Sequence, residues 1–333
     1  MTLADTLAGV IWLGVTFYAL LGGADLGAGF WDLMAGNSQR GIKQRQLIER
    51  SIGPVWEANH VWLIFVLVTT WTCFPVLFGS VTSTLWIPFM LAALGIVARG
   101  SSFAFREAVT IIWQKRILGI VFGISAIFVP FFFGSMAGAI ATGRVPVGVG
   151  MGNEITSWWN PVSIVTGLLA VSVCAYLAAV YLSAGAHRDG HTELIAQFRQ
   201  RALLAGLLSG VLVIVGLVLI HHDTPLLAHG LAHRGLIFVI VSGMACLTTI
   251  GLLYLKYFAA ARIAGVLTVT AILWGWGAAQ YPYVLNTKLT IAQAATVPTV
   301  LRAVLLCLVI GAVFLVPSLV WLYTLFRHGN QVT

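Results

Sequence analysis

What limits this chain most is a set of long apolar runs that carry almost no charge. A helix needs roughly 20 mostly apolar residues to cross the hydrocarbon of a bilayer. Nine runs meet that length, near 4–23, 55–77, 82–103, 117–141, 161–185, 202–221, 235–255, 262–283 and 299–325. In lipid only helices or closed barrels satisfy the backbone, and these runs are too long and continuous for alternating barrel strands. Hydrophobic residues make up 59% of the 333 and charged ones 8%, against roughly 25% charged in soluble domains. Mean hydropathy is +0.97. The expected fold is therefore an all-α integral membrane protein of about nine transmembrane helices.

The chain reads as a single polytopic membrane domain over 1–333, because the longest connections, near 35–53, 142–160 and 284–298, are too short for a soluble one. The first and fifth helices both end in small-residue stretches, GGADLGAG and LSAGAHRDG. This similarity suggests a pseudo-repeat, 1–141 and 161–283, followed by a last helix at 299–325. The first helix can be extended past its glycines toward Met34, which would carry Asp25 with it. No Lys or Arg precedes the first run and Asp5 stands in the usual place of positive charge, so it is expected to stay as a helix rather than be cleaved as a leader.

Lysine and arginine favour the cytoplasmic side of a membrane. Thirteen of the 18 lie in or beside the connections after the first, third, fifth and seventh helices, and four after the even ones, leaving Arg327 in the tail. That asymmetry places the N-terminus outside and the C-terminus in the cytoplasm. The net charge of +8 contains no basic run of the kind that tracks phosphates, so no nucleic-acid partner is expected. Cys73, Cys174, Cys246 and Cys307 lie in apolar runs with no metal spacing and read as core residues.

Ionisable side chains at membrane depth are costly, and those present usually face a protein interior or a water path. Asp25 lies near the predicted cytoplasmic end of the first helix, between Gly23 and Gly27, whose G-x-x-x-G spacing admits a close neighbouring backbone. Glu57 follows Pro54, a residue suited to a first helical turn, in GPVWEANHVW. The helix start favours its carboxylate and burial its protonated form, a balance that suits a proton relay. Asn59 lies about 200° round the helix from Glu57, and His60 has no obvious partner for haem ligation. Arg99, closing the third helix, is the natural partner for a carboxylate at this level, with Arg106 just beyond it. The tract HHDTPLLAHGLAHRG, with His221, His222, His229 and His233, reads as a solvated loop. Trp158, Trp159, Tyr281 and Tyr283 sit at predicted helix ends, as interfacial belt residues do.

Three blocks in order, GADLGAGFWDL at 23–33, ERSIGPVWEANHVWLIF at 49–65 and ARGSSFAFRE at 98–107, resemble subunit II of the cytochrome bd-type quinol oxidases, and more particularly the cyanide-insensitive branch. The resemblance is strong over roughly the first 110 residues. It implies two four-helix bundles plus one peripheral helix, in a bacterial inner membrane. A partner subunit I would carry two haem b groups, haem d and the quinol site, and a small single-helix accessory subunit would join some complexes. The complex would reduce dioxygen to water with cytoplasmic protons, generating a proton motive force without pumping. Subunit II itself would bind no haem, while a quinone and lipids accompany it in some members.

Residue by residue, the resemblance puts Glu57, Asp25, Arg99 and Asn59 on a proton path and Trp62 beside an oxygen-access path. Gly23, Gly27, Pro54 and Trp56 would serve helix packing. No catalytic nucleophile, cofactor ligand or metal ligand is assigned. Two other readings stay open: a proton-coupled secondary transporter with Asp25 and Glu57 as coupling acids, and a purely structural assembly subunit. Either way the isolated chain is expected to be inactive.

Overall fold

The computed structural model describes the backbone of residues 2–36, 39–52, 56–285 and 287–329, and the side chains of all of these except 39, 40, 52, 56–58, 107, 316, 319, 320 and 322–329. The first span is one continuous helix, Leu3–Leu33. It consists of α1 (Leu3–Phe17), a π-helical turn (Tyr18–Gly22) and α2 (Gly23–Leu33). Thr2 and Asp5 cap its start reciprocally, each side chain taking a backbone N–H of the other. The extension past the glycines thus brings Asp25 inside the span.

The connection that follows, too short for a soluble domain, is helical over most of its length. It holds α3 (Gln39–Ile52), an amphipathic helix whose Leu47 and Ile48 are buried while Ile42, Lys43 and Gln46 stay outside. The second expected span, 55–77, also needs correction. α4 (Trp56–Cys73) stops at Phe74, and α5 (Pro75–Thr84) leaves at 117° to it. The cause is local: a residue before proline avoids the helical region, and Phe74 sits at φ −133°, ψ 60°. The same device recurs at Thr224, φ −143°, ψ 74°, between α9 (Thr192–Asp223) and α10 (Pro225–Ala232). The histidine tract is accordingly helical over most of its length rather than a loop, though its four histidines are exposed.

The remaining spans are α6 (Trp86–Ala108), α7 (Ile112–Ala141), α8 (Pro161–Arg188), α11 (Leu236–Tyr254), α12 (Phe258–Gln280) and α14 (Pro298–Gly329). A two-stranded hairpin, β1 (Tyr283–Leu285) with β2 (Leu289–Thr290), and the single turn α13 (Ile291–Ala294) precede the last of these. Among the described residues eight helices are long and apolar enough to cross a membrane, and nine if the bent α4–α5 pair counts as one span.

The helices form two four-helix bundles. In the first, α1 packs on α4, α6 on α7, and α2 on α7; in the second, α8 packs on α9, α11 on α12, and α12 on α8. The bundles meet where α8 lies against α2 and α7. One apolar cluster, with Tyr176, Leu177 and Phe198, fills that junction; another, with Leu7, Phe74, Leu85 and Phe132, fills the opposite end of the first bundle. α14 rides on α1 and α4 at the periphery. That position leaves Cys307 exposed, against the reading of all four cysteines as core, while Cys73 and Cys174 are buried and Cys246 is half-buried. Trp158 likewise leaves the expected belt: it is buried with its ring edge-on to Phe132 at 5.9 Å, while Trp159 stays exposed.

Candidate functional site

The site grows from small residues on α2. A β-carbon added at Gly27 would run into the carbonyl of Cys174, and one at Gly23 would stand 3.4 Å from the Cys174 sulfur. Gly27 therefore lets α2 and α8 touch backbone to backbone, the kind of approach the G-x-x-x-G spacing allows, while at Gly23 a β-carbon would make only ordinary contact. Trp31 fastens the contact by donating its indole N–H to the Ala175 carbonyl at 2.8 Å. Gly29 opens the other flank, where a β-carbon would stand 2.5 Å from Nη1 of Arg99.

Into that gap Arg99 reaches from α6. Its Nη2 donates to the Asp25 Oδ1 and to the Asp25 backbone carbonyl, each at 2.8 Å. The guanidinium lies 4.1 Å above the Phe122 ring. Asp25 is 6% exposed and Arg99 3%, so both charges have left solvent. Desolvating two ions is offset only by close geometry and further hydrogen bonds; the carbonyl contact and the ring supply part of these, while Nη1 of Arg99 is buried without a hydrogen-bond partner.

A second ionic contact lies two turns along. Arg106 Nη1 meets Asp32 Oδ2 at 3.1 Å, and Arg45 Nε of α3 approaches the other oxygen at 3.5 Å. Arg106 Nη2 also reaches Glu49 at 3.4 Å. Asp32, 2% exposed, was missed as a site residue, and a signal for it exists. Asp25 and Asp32 are seven apart, and so are Arg99 and Arg106. A seven-residue step returns to nearly the same helix face, so matched acids and arginines imply a ladder between two parallel helices.

α4 runs against the π-helical turn. Asn59 is 1% exposed and donates from Nδ2 to the Leu21 carbonyl at 3.3 Å. Trp62 stacks on Phe17, ring centroids 4.5 Å apart at 26°, and meets Phe65 edge-on at 6.3 Å. Such π-helical turns within α-helices often accompany functional positions. The backbone of Glu57 and Trp56 belongs to the first turn of α4, but their side chains, and all of Pro54, lie outside the described residues.

Between α2, α4, α8 and the start of α12 lies a cavity of about 310 Å³. Asp25 and Asn59 line it, as do Ser51, Tyr181, and Arg262. Arg262 rests its guanidinium 5.5 Å from the Tyr181 ring. The cavity therefore joins a buried carboxylate to the end of the molecule that carries α3. Its walls are mixed, with Leu21, Ala24, Ala28, Ala178 and Leu182 beside the polar groups; those polar groups can hold ordered water, and a water chain from the surface to an acid can conduct protons. Among the described residues no three His, Cys, Asp or Glu side chains come together as a metal group.

Comparison with known proteins bears on what such a cavity serves. The description of the family "Cytochrome bd terminal oxidase subunit II" fits residues 3–326, well beyond the first 110 that carry the motif blocks. A Bacillus subtilis chain assigned as subunit II of a cytochrome bd menaquinol oxidase is 21% identical, over 97% of this chain and 95% of that one. Subunit 2 of the Escherichia coli K12 cytochrome bd-I ubiquinol oxidase is 24% identical over 63% of this chain and 56% of its own length. A chain in the structure of the bd oxidase from Geobacillus thermodenitrificans superposes with a TM-score of 0.83 and 26% identity, covering 98% of this chain and 99% of that one.

Proposed function

This chain belongs to the cytochrome bd terminal oxidase subunit II family, and on that premise we propose that it conducts protons from the cytoplasm toward the oxygen-reducing centre of a quinol oxidase complex. The observation that carries this reading is the buried Asp25–Arg99 pair at the wall of a cavity lined by Asn59, Ser51 and Arg262. Arg99 holds the Asp25 carboxyl at the inner end of the cavity, and in a site of low dielectric an ionised carboxyl draws protons strongly. Glu57, in the first turn of α4, is the acid that exchanges them.

The partner is a haem-bearing subunit I that holds two haem b groups and haem d and oxidises quinol, so the isolated chain has no activity. The complex lies in a bacterial inner membrane with the N-terminus of this chain outside, its C-terminus in the cytoplasm, and the basic α3 end inside. Protons taken from that side make oxygen reduction electrogenic without a pump. Trp62, with Phe17 and Phe65, walls an oxygen-access path. A bound quinone, lipids and a small single-helix subunit complete the assembly. Residues 1–141 and 161–283 are two copies of one unit, a reading supported by the matching breaks at Phe74 and Thr224.

Glu57→Gln tests the proton path. In purified complex matched for haem content, oxygen consumption is expected to fall on the order of tenfold or more, the scale of a lost proton-transfer group. Unchanged turnover would leave only the structural role, and loss of haem together with activity would point to assembly. A preparation with no haem spectrum at all would instead favour a transporter.

A further inference from the structure

The histidine tract plays no part in the path just described, yet the fold gives half of it a fixed shape. α10 is pinned to the far end of α12. A β-carbon added at Gly230 would stand 2.3 Å from the Ala279 carbonyl, and Leu227 is buried beside Ala141 and Ala279. Arg234 donates from Nη1 to the Tyr281 carbonyl, just past the same helix, which turns that cation to a partner of its own. From this platform His229 and His233 are both exposed. Four residues apart, they stand one turn from each other. Their rings stack with 3.9 Å between centroids and 18° between planes.

Two histidines at this spacing on one helix face can share a metal ion. Zinc bonds imidazole nitrogen at about 2.0–2.1 Å in a tetrahedron, which sets two ligating nitrogens about 3.3 Å apart. Rings already this close reach that separation by a small turn about their side-chain bonds. The hydrogen bonding suits the same use. Nδ1 of His233 lies 3.0 Å from the His229 carbonyl. A carbonyl only accepts, so Nδ1 carries the proton and Nε2 keeps a free lone pair. Metal-bound histidines almost always donate their other ring N–H in this way.

We propose that His229 and His233 form a two-histidine site for a divalent transition metal, zinc or copper, with water in the remaining positions. Imidazole suits these ions, whereas magnesium and calcium take oxygen ligands. His221 and His222 stand apart from the pair at the end of α9, their rings edge-on at 6.0 Å. A bound ion would tie the last turn of α10 to His233, the residue that caps it. α10 meets α12 at Ala279, whereas Arg262 of the Asp25 cavity lies near the start of that helix. The site is therefore remote from the cavity, and it stands whether or not the cavity carries protons.

Isothermal titration of Zn2+ into the whole complex, purified without a histidine tag and stripped of metal by a chelator, tests the proposal. Wild type is expected to show a zinc-binding step that weakens at least about tenfold in His229→Gln and in His233→Gln, the scale of loss when a metal site is disturbed. His222→Gln is expected to leave that step unchanged, and Mg2+ to produce none. Haem content at the wild-type level shows that each variant has assembled, and should one of the pair fail to assemble, the other decides. The same zinc step in wild type and in the pair variants, an equal loss in His222→Gln, or an equal step with Mg2+ would overturn the proposal.

Discussion

Within the first bundle, α2 and α6 bury Asp25, Asp32 and Arg99; the second bundle, built from α8, α9, α11 and α12, buries hydroxyls instead. There Thr249 and Thr268 donate back to carbonyls of their own helices, Ala245 at 2.8 Å and Ala264 at 3.0 Å. Ser172 and Ser209 approach to 2.8 Å across α8 and α9. The pairing of helices is otherwise the same in both bundles. A hydroxyl can be satisfied by its own helix and so asks little of its neighbours. A buried ion asks for one particular partner at one particular place. The π-helical turn, too, belongs to the ionic bundle. One packing plan thus supports a tolerant scaffold in one half and a closely specified site in the other.

The contrast can be broken or sharpened by mutation. The largest effect is expected from Arg99→Leu, which leaves Asp25 as an unpaired buried charge at a cost of about 3–5 kcal/mol. Thermal stability and yield of the complex read it out, and a variant as stable as wild type would erase the distinction between the halves. Next comes Trp62→Ala, which widens the aromatic wall formed with Phe17. The apparent KM for oxygen is expected to fall about threefold, the scale of a lost aromatic contact, with kcat unchanged. An unaltered KM would remove Trp62 from the oxygen path. Smallest is Thr249→Val in the second half, expected to change stability by less than about 1 kcal/mol and turnover not at all; a larger loss would give the hydroxyl bundle a role denied it here.

Much of this architecture was legible in the residues. Run length and hydropathy place several spans to within about five residues, as with 117–141 against Ile112–Ala141 and 235–255 against Leu236–Tyr254. They miss the extension of the sixth helix back to Thr192, and in the first the apolar run stops at 23 while the span reaches Leu33, in line with its extension toward Met34. The bend at Phe74 was missed because hydropathy is blind to it, although the proline that causes it stands in plain view at 75. α3 escaped because it is short and half polar, and nothing about Gln39–Ile52 resembles a span. At the site, charge and depth mark Arg99 as the partner of a carboxylate at this level, and the structure gives that carboxylate as Asp25. Asp32 escaped because it was read as part of a motif rather than as a position seven beyond another acid. Arg262 and Tyr181, which share the cavity with Asp25 only across a bundle junction, carry no local pattern that could have linked them.

The account comes down to whether Asp25 governs the supply of protons. The direct measurement is oxygen consumption by purified Asp25→Asn complex at matched haem content, compared in H2O and D2O. Asparagine keeps the shape and a carbonyl for Arg99 while removing the charge. Turnover is expected to drop on the order of tenfold, and its dependence on D2O to increase. Wild-type turnover with an unchanged isotope effect would contradict the account.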